Sequence, residues 1–302
     1  MKKQTYKNQV SLLLNVIPEV AKEECFALHG GTAINLFVRN MPRLSVDIDL
    51  TYVPIEDRAI TLKNIADALE RIKSSIESVI PEATVEHKQD ISKLQISFKG
   101  AQIKLEVNQT NRGLLEESQT LELCDDAQKE FDVFCAIQTV SLAQLYGGKI
   151  CAALDRQHPR DLFDIKYLLK NEGFTEEIKT GFLFYLLCSN RKISDLLTPN
   201  RLDQRKAMEN QFDGMSDESF TYEDFEATRE SLIEAIQNSL NEKDKQFLLS
   251  FKSTEPDWSI YNFEKFPSVQ WKLQNLQGLR KKNPEKHILL VKQLKDKLSL
   301  LF

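Results

Sequence analysis

Hydrophobic and polar positions change period along the chain. Residues 5 to 24 read as a first helix, and "CFALHGG" reads as a short buried strand that ends in glycines. "TAINLFVRN" predicts a helix that "MPR" breaks, and "VDIDLTYV" predicts a second strand. Between residues 56 and 79 the apolar positions Ile60, Ile65, Leu69, Ile72 and Ile76 fall mostly three or four apart, the spacing of an amphipathic helix. "KLQISF" and "QIKLEVN" alternate around "KGA" and predict a β-hairpin. From there the period is helical. Thr139 and Ser141 are good caps before "LAQLYGGKICAALDRQ". Pro159 opens "PRDLFDIKYLLKNEG" at a first helical position, and Gly173 suits its end. "TGFLFYLLCSN", "ESLIEAIQNSL" and a final basic helix follow. The pattern predicts an α/β unit with a mixed sheet over residues 1–138 and a mainly helical domain over 139–302.

Composition narrows this little. A chain of 302 residues, 41% hydrophobic and 28% charged, can bury a sizeable core and has room for two domains. No run reaches the ~18 apolar residues of a membrane span. The amino-terminal stretch is interrupted by Asn15 and Pro18 and reads as a helix, not a signal peptide. Five cysteines without CxxC spacing argue against a disulfide framework or a zinc site and for a reducing cytoplasm. The four histidines are too scattered for a metal cluster. Net charge is -5, unevenly placed: from Val269 to Phe302 eight Lys/Arg face Glu285 and Asp296, which gives +6 there and -11 elsewhere. Such asymmetry permits a polyanionic partner, and a solvated helix face would look the same.

The candidate chemistry lies in "LHGGTAINLFVRNMPRLSVDIDLTY", residues 28 to 52. Alternate residues of a strand point to one face, so Asp47 and Asp49 project together and need a cation. Oxygen donors of this kind suit Mg²⁺, and two such ions can clamp the attacking and leaving oxygens of a phosphoryl displacement. If the second hairpin strand lies beside that of Asp47, Glu106 becomes a third carboxylate at the site. Gly30 and Gly31 would let backbone N–H groups approach an anion, with Thr32 able to cap the following helix or bond a phosphate oxygen. Ser45, two residues before Asp47, falls on the same face and could touch phosphate. A phosphate cradle beside paired carboxylates describes transfer of a nucleotide from an NTP to a hydroxyl, with release of pyrophosphate.

These residues resemble the first motif of the AbiEii/AbiGii toxin family of nucleotidyltransferases, within the DNA polymerase β-like superfamily. "IKLEVNQTNRG" is similar to the family's third-carboxylate strand, and "GGKICAALDRQHPRDLFDIKYLL" to its lysine helix and the segment that follows. The resemblance implies a polymerase β-like α/β domain followed by a helical domain. It implies a phosphate loop at Gly30 and Gly31, metal binding by Asp47 and Asp49, contact of Lys149 with the triphosphate, and completion of the site by Asp161 or Asp164. Arg156 lies seven residues beyond Lys149 on the same helix face and joins it as a nucleotide-binding candidate. The loop departs from the superfamily's Gly-Ser, and Glu106 stands where Asp is commoner. The resemblance further implies the toxin of a toxin–antitoxin or phage-defence system, a cognate antitoxin, and RNA, above all the 3′ end of tRNA, as acceptor. The alternatives are transfer to a small molecule or protein hydroxyl, and a non-catalytic binding module that keeps the fold.

Overall fold

A computed structural model describes residues 2–301, which divide into two compact units. The first comprises Met1–Leu145 and Arg205–Thr221, the second Tyr146–Gln204 and Tyr222–Phe302. Residues 205–221, which lie within the predicted helical half, group with the first unit.

The first unit is a seven-stranded mixed sheet and its helices. In chain order come α1 (Lys2–Val20), β1 (Phe26–His29), α2 (Gly30–Thr32, continued by π-helical turns over Ala33–Val38), β2 (Asp47–Tyr52), α3 (Arg58–Val79), β3 (Thr84–Lys88), β4 (Lys93–Phe98), β5 (Ala101–Asn108), β6 (Gln119–Glu122), α4 (Asp125–Phe131) and β7 (Ala136–Thr139). The strand order is β3-β4-β5-β2-β1-β7-β6. β2 runs antiparallel to β1 and parallel to β5. The β4–β5 hairpin turns on Lys99 and Gly100, both at positive φ, as a two-residue turn that matches strand twist requires. Along β5 buried and exposed residues alternate without exception, so one face carries Ile103, Leu105 and Val107 into the core and the other carries Lys104, Glu106 and Asn108. α1 and α3 pack on this sheet, burying Leu13, Val16 and Ile17 from α1 and Ile65, Leu69 and Ile72 from α3. The segment 205–221 is tied in by backbone, the Leu44 amide donating to the Met215 carbonyl across 2.7 Å. Ser216 Oγ also donates to the Pro42 carbonyl at 2.8 Å.

The second unit is helical: most of α5 (Leu142–Arg156), then α6 (Pro159–Asn171), α7 (Glu176–Cys188), α8 (Ile193–Leu197), α10 (Tyr222–Ser239), α11 (Glu242–Lys252), α12 (Pro267–Lys282) and α13 (Pro284–Ser299). The short α9 (Arg205–Ala207) belongs to the first unit. Ser141 Oγ accepts from the Gln144 amide and so caps α5, while Thr139 ends β7. α5 and α7 approach so closely at Gly147 that a Cβ there would enter the Gly181 backbone. Phe184, Phe263, Phe266 and Phe247 form an edge-to-face cluster at the centre of the unit. Tyr261 caps it and donates to Asp244, which in turn forms a buried ion pair with Lys179 at 3.2 Å. The single basic helix expected at the carboxy terminus is two helices. Asn283 and Pro284 separate them, because proline cannot continue α12 while Asn283 accepts from the Lys286 amide to start α13. All five cysteines are free thiols. Burial pushes the Cys25 and Cys135 thiols up to about 11 and Cys188 up to about 12, so they remain protonated and inert.

Candidate functional site

The sheet register places the two aspartates. Asp47 is opposite Lys104 of β5, and Asp49 is opposite Glu106. On its other flank Asp49 faces His29 of β1. The hairpin continues both rows: Lys104 faces Gln95, and Glu106 faces Lys93. Register partners share a face, so His29, Asp49, Glu106 and Lys93 form one row and Asp47, Lys104 and Gln95 the next. The opposite face is apolar, with Ile48, Leu50, Leu105 and Leu94 buried. Two carboxylates on one strand are tolerated because they occupy the polar face of an otherwise buried strand.

The turn after β1 is built around Asp49. Gly30 takes φ +75, and its missing Cβ is where the Asp49 carboxylate lies, so any side chain at 30 would displace it. A Cβ on Gly31 would come within 2.9 Å of Arg43 Nη2 and 3.0 Å of Ser45 Oγ. Thr32 is fully buried. Its hydroxyl donates to the Asp47 carbonyl at 2.5 Å and lies 3.0 Å from Ser45 Oγ, pinning β2 to the turn. It makes no cap. The helix opens at Gly30 and then widens to i→i+5 turns, with the Arg39 amide bonding the Ile34 carbonyl at 2.8 Å. Such turns recur at functional sites. Arg43 is a site residue that sequence reading missed. It is buried beneath the Gly31 turn, with Nη1 donating to the Leu44 carbonyl at 2.9 Å. It lies in the irregular segment before β2, so no strand or helix period marked it.

The donor set fits a cation that shares its coordination with substrate. Among the described residues no three His, Cys, Asp or Glu are grouped to hold a metal ion by themselves. Mg²⁺ does not need such a cage, since it commonly binds through one or two carboxylates together with substrate phosphates. Asp47 and Asp49 supply that pair, and among the described residues the Asp47 carboxylate has no hydrogen bond or ion pair. Glu106 is on the same face, as its position in β5 predicts, but its carboxylate is paired with Lys93.

The second unit holds the other sequence candidates in one cluster. Lys149 Nζ lies 2.9 Å from Asp161 Oδ1 and 3.0 Å from Asp164 Oδ2, all three side chains being buried. Arg156 donates from Nε to Asp161 Oδ2 at 2.6 Å and from Nη2 to Oδ1 at 3.1 Å. Burial pushes the Asp161 carboxyl up, but the Lys149 charge and the Arg156 hydrogen bonds outweigh it and hold the group well below the usual carboxylate range. His158 caps α6 by accepting from the Arg160 amide, which brings Asp161 into the first turn of that helix.

Residues 11–275 match the model of the family described as nucleotidyl transferase AbiEii toxin, type IV TA system. The chain belongs to this family. It is a nucleotidyltransferase and the toxin of a type IV toxin–antitoxin system. Its fold is also similar to that of MenT4, a nucleotidyltransferase toxin from Mycobacterium tuberculosis H37Rv, with a TM-score of 0.64 at 11% identity over 90% of this chain and 93% of that one. No curated protein matches the chain. Among the described residues of this AbiEii toxin no helix is long and apolar enough to cross a membrane.

The basic carboxy-terminal helices of the AbiEii toxin present fewer available cations than their composition suggests. Arg280 donates to Thr254 Oγ1 and pairs with Glu255, each at 2.8 Å. Lys272 donates to the Ser189 carbonyl at 2.5 Å, and burial lowers its pKa. His287 is buried against the Lys252 carbonyl at 3.0 Å, whereas Trp271 is 61% exposed.

Proposed function

We propose that this toxin transfers a nucleoside monophosphate from an NTP to the 3′ end of an RNA, with tRNA the favoured acceptor, in the cytoplasm and under control of a cognate antitoxin. The observation that carries the reading is the Asp47–Asp49 pair on the polar face of β2, pressed against the Gly30–Gly31 turn. The turn offers backbone N–H groups to the triphosphate, and buried Arg43 adds positive charge beneath it. Thr32 and Ser45 hold the turn against β2. Mg²⁺, two ions in the full reading, would be held by Asp47 and Asp49 and would neutralise charge on the phosphoryl group in transfer. The acceptor hydroxyl oxygen bonds to the α-phosphorus as the bond to the bridging oxygen breaks. Pyrophosphate leaves with that electron pair, and the hydroxyl proton passes to solvent. The role of Lys149 and Arg156 toward the triphosphate, with Asp161 and Asp164 holding them, is proposed on their motif alone. The tRNA acceptor likewise rests on family resemblance.

The test is to incubate the purified toxin with Mg²⁺, total RNA and each α-labelled NTP in turn. Label at the 3′ end of RNA supports the reading. Label on protein or on small molecules only would move the acceptor out of the RNA class.

A further inference from the structure

The polar face has two flanks. On one side of β2 lies β1 with the glycine turn, and on the other lie β5, β4 and β3 in order. Lys104 is the first residue met on that second flank, directly opposite Asp47 on a parallel neighbour, one strand spacing or ~5 Å away. It is exposed, and among the described residues it has no hydrogen bond or ion pair. Its neighbours are engaged. Lys93 is paired with Glu106, and Lys88 lies 3.4 Å from Glu86 and donates to Gln95 Oε1 at 3.0 Å. So a lysine and an aspartate stand in register on the site face, and neither neutralises the other.

We infer that Lys104 binds the backbone phosphate next to the acceptor's reacting hydroxyl, so that the acceptor strand reaches Asp47 across β5 and β4. This rests on the RNA reading above. The NTP phosphates belong to the opposite flank, where Gly30, Gly31 and Arg43 gather. An anion on the β5 flank is therefore the other substrate. An in-register Lys–Asp surface pair would contribute little to stability, ~0–1 kcal/mol at most, so folding gives scant reason for a lysine here. A phosphate contact gives one. Beyond Lys104 its row continues to Gln95 and Glu86, and the lysines of the adjacent row, Lys93 and Lys88, are paired with Glu106 and Glu86, so Lys104 is the cation on this flank that an acceptor phosphate can take.

The experiment uses the full-length toxin, a 5′-labelled pool of deacylated tRNA as probe, and each NTP separately. Binding of both substrates is measured at two salt concentrations for wild type, Lys104→Glu, Lys104→Gln and Lys104→Arg. Lys63→Glu, on α3, is the charge control. Lys104→Glu and Lys104→Gln should weaken tRNA binding, the reversal by about tenfold at low salt, and reduce the slope of log affinity against log salt by about 0.7. Lys104→Arg should restore both, Lys63→Glu should change neither, and NTP affinity should stay at its wild-type value. Unchanged tRNA affinity in both Lys104→Glu and Lys104→Gln overturns the inference and leaves the RNA reading intact. A loss confined to NTP affinity overturns it by moving Lys104 to the nucleotide. A wild-type toxin that binds no tRNA even at low salt overturns the RNA reading, and the inference with it.

Discussion

Lys149 donates to Asp161 across 2.9 Å in a position where both side chains are almost fully buried. The same ammonium lies 3.0 Å from Asp164, so one lysine bridges two buried carboxylates. Lys149→Ala would leave both under-compensated, a change that costs about 3–5 kcal/mol in buried pairs. We expect a large drop in the urea midpoint. The triple variant Lys149→Met, Asp161→Asn, Asp164→Asn should recover much of it, since the charges go together. A Lys149→Ala midpoint equal to wild type would show that the cluster does not stabilise the fold.

The Asp161 carboxyl gives a pH test. Burial opposes its ionisation, but Lys149 and Arg156 lower its folded pKa below the ~3.9 of an unfolded chain. A lowered carboxylate contributes stability that is full above the unfolded pKa and is lost as pH falls toward the folded one. Asp161→Asn should therefore be less stable than wild type at pH 7, and the two should converge as pH drops below ~4. Urea midpoints at pH 7, 5, 4 and 3 check this; a constant gap down to pH 3 refutes it.

Asp47→Asn and Asp49→Asn each delete a charge from the polar face of β2. Transfer should fall by at least about 10², the equivalent of losing a few kcal/mol of metal-dependent stabilisation. Without metal the melting temperature of Asp47→Asn should hold or rise, because a like-charge repulsion is relieved. EDTA should arrest the wild type, and Mg²⁺ should restore it. Full transfer by the double variant would remove this pair from the chemistry.

The two glycines should respond differently. Gly30→Ala forces a side chain into φ +75, at about 1–2 kcal/mol, and drives its Cβ into the Asp49 carboxylate. Transfer should be lost well beyond the loss of stability. At Gly31 φ is not positive, and a Cβ meets the ends of Arg43 and Ser45, which can shift. Gly31→Ala should keep the wild-type melting temperature within a few degrees and retain part of the activity. Thermal melts alongside initial rates decide it, and equal losses at both positions would contradict the geometry.

Part of this was legible in the sequence for definite reasons. The alternation of β2 put Asp47 and Asp49 on one face, and the same period put Lys104 and Glu106 on one face of β5. The pairing of Lys93 with Glu106 was also readable in principle. A two-residue turn at Lys99 and Gly100 fixes the register outward, and Lys93 then falls opposite Glu106. Other features had no local signal. Lys149 and Asp161 lie on different helices with a break between them, so no helical period relates them. β3, β6 and β7 are short and half polar, and their partners are distant in sequence. Arg43 sits in an irregular segment, where no period says which way a side chain points.

The return of residues 205–221 to the first unit sets an order of events during synthesis. The Leu44 amide, just upstream of Ser45 and Asp47, waits for the Met215 carbonyl. A ribosome that has made every strand of the sheet has still not made that partner. The nascent toxin therefore leaves the segment leading into β2 without this backbone partner until more than two thirds of the chain has been synthesised. A transcript cut short after the sheet would encode a fragment in which the Leu44 amide never meets that carbonyl.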